Sequence, residues 1–162
     1  MPNMTQGDEP GRRPGEPAER AEPVVEALSE AECLNLVAGQ DIGRIAFTGR
    51  FGLTVMPVNY RLHDGSIVFR TSQDSPMDED LRTGLEHGEY QVAFEVDEIQ
   101  ASTREGWSVL IRGPAHHVTS AEERAVVARS GVAPWPGGSK EQFMRIRPTQ
   151  ITGRRIRNLG RS

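Results

Sequence analysis

Asp64-Gly65 constrains this chain more than any other dipeptide. It separates GLTVMPVNYRLH from SIVFRTS, two runs rich in Val, Leu, Ile, Phe and Tyr, and a type I′ hairpin turn needs φ > 0 at both central residues, which Asp-Gly accepts. A two-residue loop sets the register. His63 then faces Ser66, Leu62 faces Ile67, Tyr60 faces Phe69, Asn59 faces Arg70 and Pro57 faces Ser72. Alternation puts Met56, Val58, Tyr60, Leu62, Ile67 and Phe69 on one face, which reads as core. Pro57, Asn59, Arg61, Val68, Arg70 and Ser72 fall on the other. That face reads either as a polar wall able to hold an anionic or heteroaromatic ligand or as the wet side that antiparallel hairpins commonly have.

At 162 residues the chain suits one domain with tails. Residues 1–23 are mostly Pro, Gly, Glu and Arg, too polar to offset the entropy of ordering, and are expected to be a disordered leader. The domain is expected over 24–157, with 158–162 a basic tail. Val24–Leu28 is a short strand or lead-in. Ser29 with Glu32 is a capping box for a helix that ends at Gly39. Gly43–Gly49 is a glycine-bounded strand, and the hairpin follows it. Pro76 sits where a first helical turn tolerates it, so a second helix is expected from Ser75 to His87. Tyr90–Ile99 alternates as a half-buried strand. Trp107–Val118 is a longer strand with a bulge or bend at Gly113-Pro114. Ser120 and Glu123 cap a third helix through Arg129, Pro134–Gly138 is a loop, and Gln142–Thr152 is a final strand. About six strands, mostly joined as hairpins with three short helices between them, predict a mainly β, antiparallel domain closed as a small barrel. A parallel α/β fold is disfavoured, because no crossover helix separates the hairpin strands and no Gly-rich phosphate loop follows a strand.

Several chemistries lack their residues. There is no G-x-S-x-G nucleophile, and Cys33 is the single cysteine, which rules out an intramolecular disulfide. His116 and His117 alternate across a strand, so their rings point to opposite faces and cannot share a metal. Glu95 and Asp97 share a strand face and read best as a solvated pair. The net charge of −4 argues against a general nucleic-acid binder, although six Arg and no acid lie between Arg145 and the C-terminus. No apolar run reaches membrane-spanning length and no signal pattern opens the chain, so the cytoplasm is the expected compartment. Trp107 and Trp135 each sit beside Gly or Pro at an element edge, where a ring either covers a pocket or packs into the core.

GRIAF at 43–47, MPVNY at 56–60, IVFRTS at 67–72, VAFEVDEI at 92–99, GWSVLIRG at 106–113, then PWPGG and ITGRR, together resemble the pyridoxamine 5′-phosphate oxidase-like family, and most closely its small actinobacterial branch. The resemblance runs from about Leu28 to Arg155. It implies a six-stranded antiparallel Greek-key split β-barrel with short flanking helices, and a homodimer with FMN at the subunit interface. On that resemblance the main chain of Met56, Pro57, Val58 and Asn59 runs along the isoalloxazine ring. Arg70, Thr71 and Ser72 meet the ribityl phosphate, and Trp107 and Ser108 come from the other subunit. The implied activity is a flavin-dependent oxidoreductase passing hydride to a small organic or quinone-like substrate. The alternative is a non-catalytic protein that binds or sequesters flavin, F420 or haem.

One departure bears on the cofactor. The family usually places Arg or Lys on the turn after this strand, where Asp74-Ser75-Pro76-Met77 stands here with Asp78 and Glu79 behind it. A lost charge-assisted contact costs about 1.5–3 kcal/mol, so looser FMN binding or a different cofactor is expected. The substrate signature of true pyridoxamine phosphate oxidases is also missing at the C-terminus, and vitamin B6 oxidation is not expected.

Overall fold

The computed structural model describes residues 22–72, 75–82, 89–131 and 141–158. Asp64 and Gly65 adopt φ of 48° and 69°, as a type I′ turn requires, and the register read from them is observed from His63↔Ser66 to Tyr60↔Phe69. The leader before residue 22, Asp74, residues 83–87 of the expected second helix, the Pro134–Gly138 loop with Trp135, and the tail beyond Asn158 lie outside the described residues; the second helix itself is shorter than expected and stops at Asp80, with Leu81 as its cap.

The elements in chain order are β1 (Val24–Leu28), α1 (Glu30–Ala38), β2 (Ile42–Gly49), β3 (Gly52–His63), β4 (Ser66–Ser72), α2 (Pro76–Asp80), β5 (Tyr90–Gln100), β6 (Glu105–His117), α3 (Ala121–Ala128), β7 (Glu141–Ile146) and β8 (Gln150–Arg157). Strands β6-β5-β2-β3-β4-β7 lie side by side, and β7 returns to β6, with Ile146 opposite Ala115 and Met144 opposite His117. That pairing closes a six-stranded antiparallel barrel, which leaves few free strand edges. Strands β8 and β1 extend the sheet outward from β6.

Local sequence explains the helix starts. Ser29 Oγ accepts from the Glu32 amide at 3.3 Å, and the Ser29 amide donates to Glu32 at 2.7 Å, which is the full capping box. Ser75 and Ser120 cap α2 and α3 in the same way, accepting from the amides of Asp78 and Glu123.

Two expectations about the last strands change. The run from Gln142 to Thr152 is two strands, β7 and β8, because Pro148 has no amide hydrogen for a ladder and the chain steps aside at 147–149. Gly113-Pro114 forms no bulge: β5 and β6 stay in unbroken register from Tyr90↔Ala115 to Gln100↔Glu105. It marks the point where β6 exchanges one neighbour, β8, for another, β7. The Arg147 amide donates to Pro114 O at 3.1 Å, and a Cβ on Gly113 would lie 2.0 Å from Arg147 O, so glycine allows the two chains to cross closely.

Inside the barrel Tyr60, Phe69, Phe94, Ile45, Ile67, Ile111, Met144 and Ile146 are fully buried. The Tyr60 and Phe94 rings meet edge to face, with centroids 5.1 Å apart. The Tyr60 hydroxyl donates to Val37 O at 2.5 Å and so fastens the end of α1 to the barrel. Burial pushes the Tyr60 phenol well above its usual range, with Asp41 adding to the effect. Two members of the expected hairpin faces are reassigned. Val68 is buried beneath α3 with Val118 and Val127, because α3 covers the outer side of β4. Met56 is 37% exposed, since it lies where β3 has no β4 neighbour.

Tyr60→Phe keeps the ring and removes the hydroxyl from Val37 O, which retains the Gln40 amide at 3.3 Å. A loss of about 0.5–1.5 kcal/mol is expected in urea unfolding, with the slope of the transition unchanged. A loss below a few tenths of a kcal/mol would show that this hydroxyl does not hold α1.

Candidate functional site

Tyr60↔Phe69 is the last rung of the β3–β4 ladder toward the open end of the hairpin. Beyond it the strands separate. Asn59, Pro57 and Met56 pair with Ile42, Arg44 and Ile45 of β2, while Arg70, Thr71 and Ser72 pair with Phe143, Gln142 and Glu141 of β7. Asn59 and Arg70 are therefore not cross-strand partners, contrary to the register extended from the turn. β4 has to reach β7 for the barrel to close, so it cannot follow β3 along its whole length.

The separation leaves a cleft with two lips. Among the described residues no strand pairs with Gly52–Asn59 on the edge away from β2, so the residues facing that edge present free C=O groups and, except at Pro57, free N–H groups. This lip carries Met56, Pro57, Val58 and Asn59. The other carries Arg70, whose guanidinium lies 4.8 Å over the Phe143 ring, together with Thr71 and Ser72. Thr71 Oγ1 lies 2.9 Å from Ser75 Oγ, and the Ser75 amide donates to Ser72 O at 3.1 Å. The second lip is thus tied directly to the start of α2.

The carboxylates of α2 are engaged internally. Asp78 is fully buried and accepts from His117 Nε2 at 2.7 Å and from Arg82 at 2.6 Å. Arg50 donates to Glu79 at 2.5 Å and to Asp80 at 2.7 Å. The repulsion expected from Asp78 and Glu79 toward a phosphate is reduced accordingly, because each faces a cation or an imidazole. Sequence reasoning missed Arg50 and His117 as the partners of this acidic run. Their separations of 29 and 39 residues follow no local period.

Trp107 and Ser108 lie elsewhere on the sheet, on β6, separated from β3 by β5 and β2. A single chain therefore does not bring them to the cleft. Ser108 lines an open outer groove of about 560 Å³, together with Glu95, Asp97, Leu110, Thr152 and Arg154. Trp107 is half-buried, packs on the edge of the core, and borders a smaller recess of about 60 Å³ beside Ile99 and Ile156. In the groove Arg44 bridges Glu95 at 3.1 Å and Asp97 at 3.4 Å, so the two carboxylates read as solvated are held in an ion triad. Burial holds the Glu95 carboxyl above its usual range, and Arg44 opposes that shift. Around the groove and the free edge of β3 the outer face is apolar: Ile42, Phe51, Leu53, Val55 and Ile99 are all exposed, Phe51 and Leu53 by about nine-tenths.

His116 and His117 do point apart, His116 to Glu123 of α3 at 2.9 Å and His117 to Asp78 of α2. Cys33 is buried, and burial pushes its thiol up. Among the described residues no group of three or more His, Cys, Asp or Glu is placed to hold a metal, and no helix is long and apolar enough to cross a membrane. The cleft offers a flat main-chain wall, hydroxyls and one guanidinium, which suits a planar ring carrying an anionic tail.

The chain has relatives of similar sequence and fold among known proteins. A family profile described as pyridoxamine 5′-phosphate oxidase matches residues 29–155. The chain is 33% identical over 147 residues to the uncharacterized protein Rv0080 of Mycobacterium tuberculosis, covering 91% of this chain and 94% of that one. Among solved structures it is similar to an FAD binding protein from Mycobacterium smegmatis, with TM-score 0.68 and 31% identity over 82% of this chain and all of that one. It is also similar to a putative pyridoxamine 5′-phosphate oxidase from Corynebacterium glutamicum, with TM-score 0.66 and 30% identity over 85% and 96% of the two chains.

The Arg44 triad yields a pH prediction. A carboxyl whose folded pKa is raised contributes most below its unfolded pKa, and the contribution is lost as pH rises through the folded value. Arg44→Ala removes the group that opposes the shift, so the midpoint of thermal unfolding should fall more steeply between about pH 4 and 7 than in wild type. Adding Glu95→Gln should remove the extra slope. Parallel profiles for wild type and Arg44→Ala would show that Glu95 is not coupled to Arg44.

Proposed function

Since the chain belongs to the pyridoxamine 5′-phosphate oxidase family, we propose that it is a homodimeric flavin-binding oxidoreductase with FMN as its cofactor. The observation that carries this reading is the parting of β3 from β4 beyond Tyr60↔Phe69, which leaves a free main-chain edge at Met56–Asn59 beside the hydroxyl and guanidinium groups of Arg70–Ser72. Met56, Pro57, Val58 and Asn59 hold the ring plane, and Arg70, Thr71 and Ser72 hold the phosphate. Bound flavin supplies hydride chemistry at N5, and the substrate is a small organic or quinone-like molecule. The similarity to an FAD binding protein from M. smegmatis supports a flavin as the ligand and makes FAD the first competitor to FMN.

The homodimer is supported by the exposed apolar outer face that includes Ile42, Leu53, Val55 and Ile99, which is costly to leave in water. A second subunit set against it contributes Trp107 and Ser108, which one chain holds away from its own cleft.

A second reading, a protein that binds or sequesters flavin, F420 or haem without turnover, is favoured by one observation. Neither lip carries a carboxylate, an imidazole, a thiol or a lysine amine: Met56–Asn59 and Arg70–Ser72 contain none of these.

The visible spectrum and mass analysis of the purified protein, followed by fluorescence titration with FMN and FAD, test the flavin. The expected result is quenching at one site per subunit, with Arg70→Ala weakening FMN about tenfold or more through loss of a charge-assisted contact. A colourless protein that quenches neither flavin would refute the proposal. Sedimentation at micromolar concentration should give twice the 17.9 kDa chain mass. Sustained NAD(P)H-dependent turnover by the loaded protein would exclude the sequestering reading.

A further inference from the structure

The structure assigns His117 as the positioning residue of the cleft's second lip, acting through the buried carboxylate of Asp78. This rests on the flavin reading above for its effect on a cofactor, but the mechanical link is visible in the chain itself. Asp78 is fully buried and takes hydrogen bonds from His117 of β6 and Arg82. Its own amide donates to Ser75 Oγ at 3.1 Å, and that hydroxyl lies 2.9 Å from Thr71 Oγ1 on the lip. The path is therefore short and continuous: β6 imidazole, α2 carboxylate, helix cap, lip hydroxyl.

Three features make it a positioning device rather than general packing. α2 is only five residues long and cannot hold its own shape, because so short a helix lies below the length at which propagation offsets nucleation. Its place must come from outside contacts. Arg50 grips Glu79 and Asp80 from the β2–β3 turn, but Arg50 and Glu79 are 43% and 47% exposed, so that grip is soft. Met77 and the cap residue Leu81 seat the helix in the core through non-directional apolar contact, and Asp78–His117 is its interior polar contact, with the imidazole side chain 15% and the carboxylate 0% exposed, where a hydrogen bond to a charged group is worth most and its loss is felt most. The neighbouring pair on the same strand provides an internal contrast. His116 makes the equivalent bond to Glu123 on the opposite face, and that bond holds α3, whose buried contact on β4 is Val68, before the lip begins at Arg70. The charged and titratable groups around His117 are Asp78 from α2, Arg82 just beyond that helix, His116 beside it on β6, Glu123 from α3, Arg145 from β7, and Glu89 and Arg147 from the flanking loops.

The test uses the full chain. Hydrogen–deuterium exchange over residues 71–80 without added flavin is compared for wild type, His117→Leu, His117→Gln and His116→Leu, and each is then titrated with FMN and with FAD. His117→Leu should speed exchange at 71–80 and weaken flavin binding about tenfold. His117→Gln keeps a donor near the Nε2 position and should restore both to within about threefold of wild type. His116→Leu should leave both unchanged. If His117→Leu does not fold, Ser75→Ala breaks the same path at the partly exposed cap and should give the same pair of changes. Exchange at 71–80 that ignores His117, or flavin affinity that stays fixed while exchange rises, overturns the assignment. Exchange that responds as expected in a protein that takes neither flavin upholds the link and refutes the flavin reading instead.

Discussion

The structure depends on a conflict over hydrogen bonds. β4 has two edges to satisfy and only seven residues, Ser66–Ser72, with which to do so. Near the turn it pairs with β3, and from Ile67 onward it also pairs with β7. If β4 followed β3 to the end, both strands would be satisfied locally, but the sheet would be left with two open edges. Closing the ring through β7 and β6 removes those edges, and the cleft between β3 and β4 is what closure leaves behind. The candidate site is therefore the place where the barrel's ladder is incomplete. A free backbone edge in such a place is a ready hydrogen-bonding wall for a flat ligand.

The lips of the cleft are held in different ways. The β3 lip is rigid because β2 pairs with it from Gly49↔Gly52 to Ile42↔Asn59 and because Tyr60, just beyond, is buried, set edge to face with Phe94 and bonded to Val37. The β4 lip is anchored by β7, and its exit is set by α2, a single helical turn fixed by Arg50 of the β2–β3 turn, by His117 of β6 and by Met77 and Leu81 in the core. An acidic run at this position reads as hostile to a phosphate when taken as a string of charges. In the fold, its carboxylates are used to dock the helix. Net local charge is thus a poor guide to the field at the cleft, because paired charges cancel over distances shorter than the screening length.

Much of the fold was legible in the residues. Asp64-Gly65 set the hairpin register, Ser29 with Glu32 set the first helix, and the alternation of Tyr90–Ile99 set a half-buried strand, since each depends on backbone geometry within a few residues. What was misread had a common cause. Val68 was placed on the wet face because alternation says which side a residue faces but not whether a helix covers that side. Gly113-Pro114 looked like a bulge and is a change of partner, and Gln142–Thr152 looked like one strand and is two. Those differences concern which strand lies next to which, and strand neighbours are chosen by closure of the whole sheet.

For the candidate site the division is similar. The sequence by itself determined the residues of both lips and the family they belong to, because the MPVNY and FRTS runs are contiguous and their motifs are local. Only the tertiary structure decided that Asn59 and Arg70 stand apart, that Arg50 and His117 answer the acids of α2, that Arg44 joins Glu95 and Asp97, and that Trp107 and Ser108 lie out of reach of their own cleft. The physical reason is that pairings across 29 to 53 residues of chain carry no period a sequence can display. They exist because a closed barrel brings distant strands into fixed register, and side chains then pair with whatever charge that register places beside them.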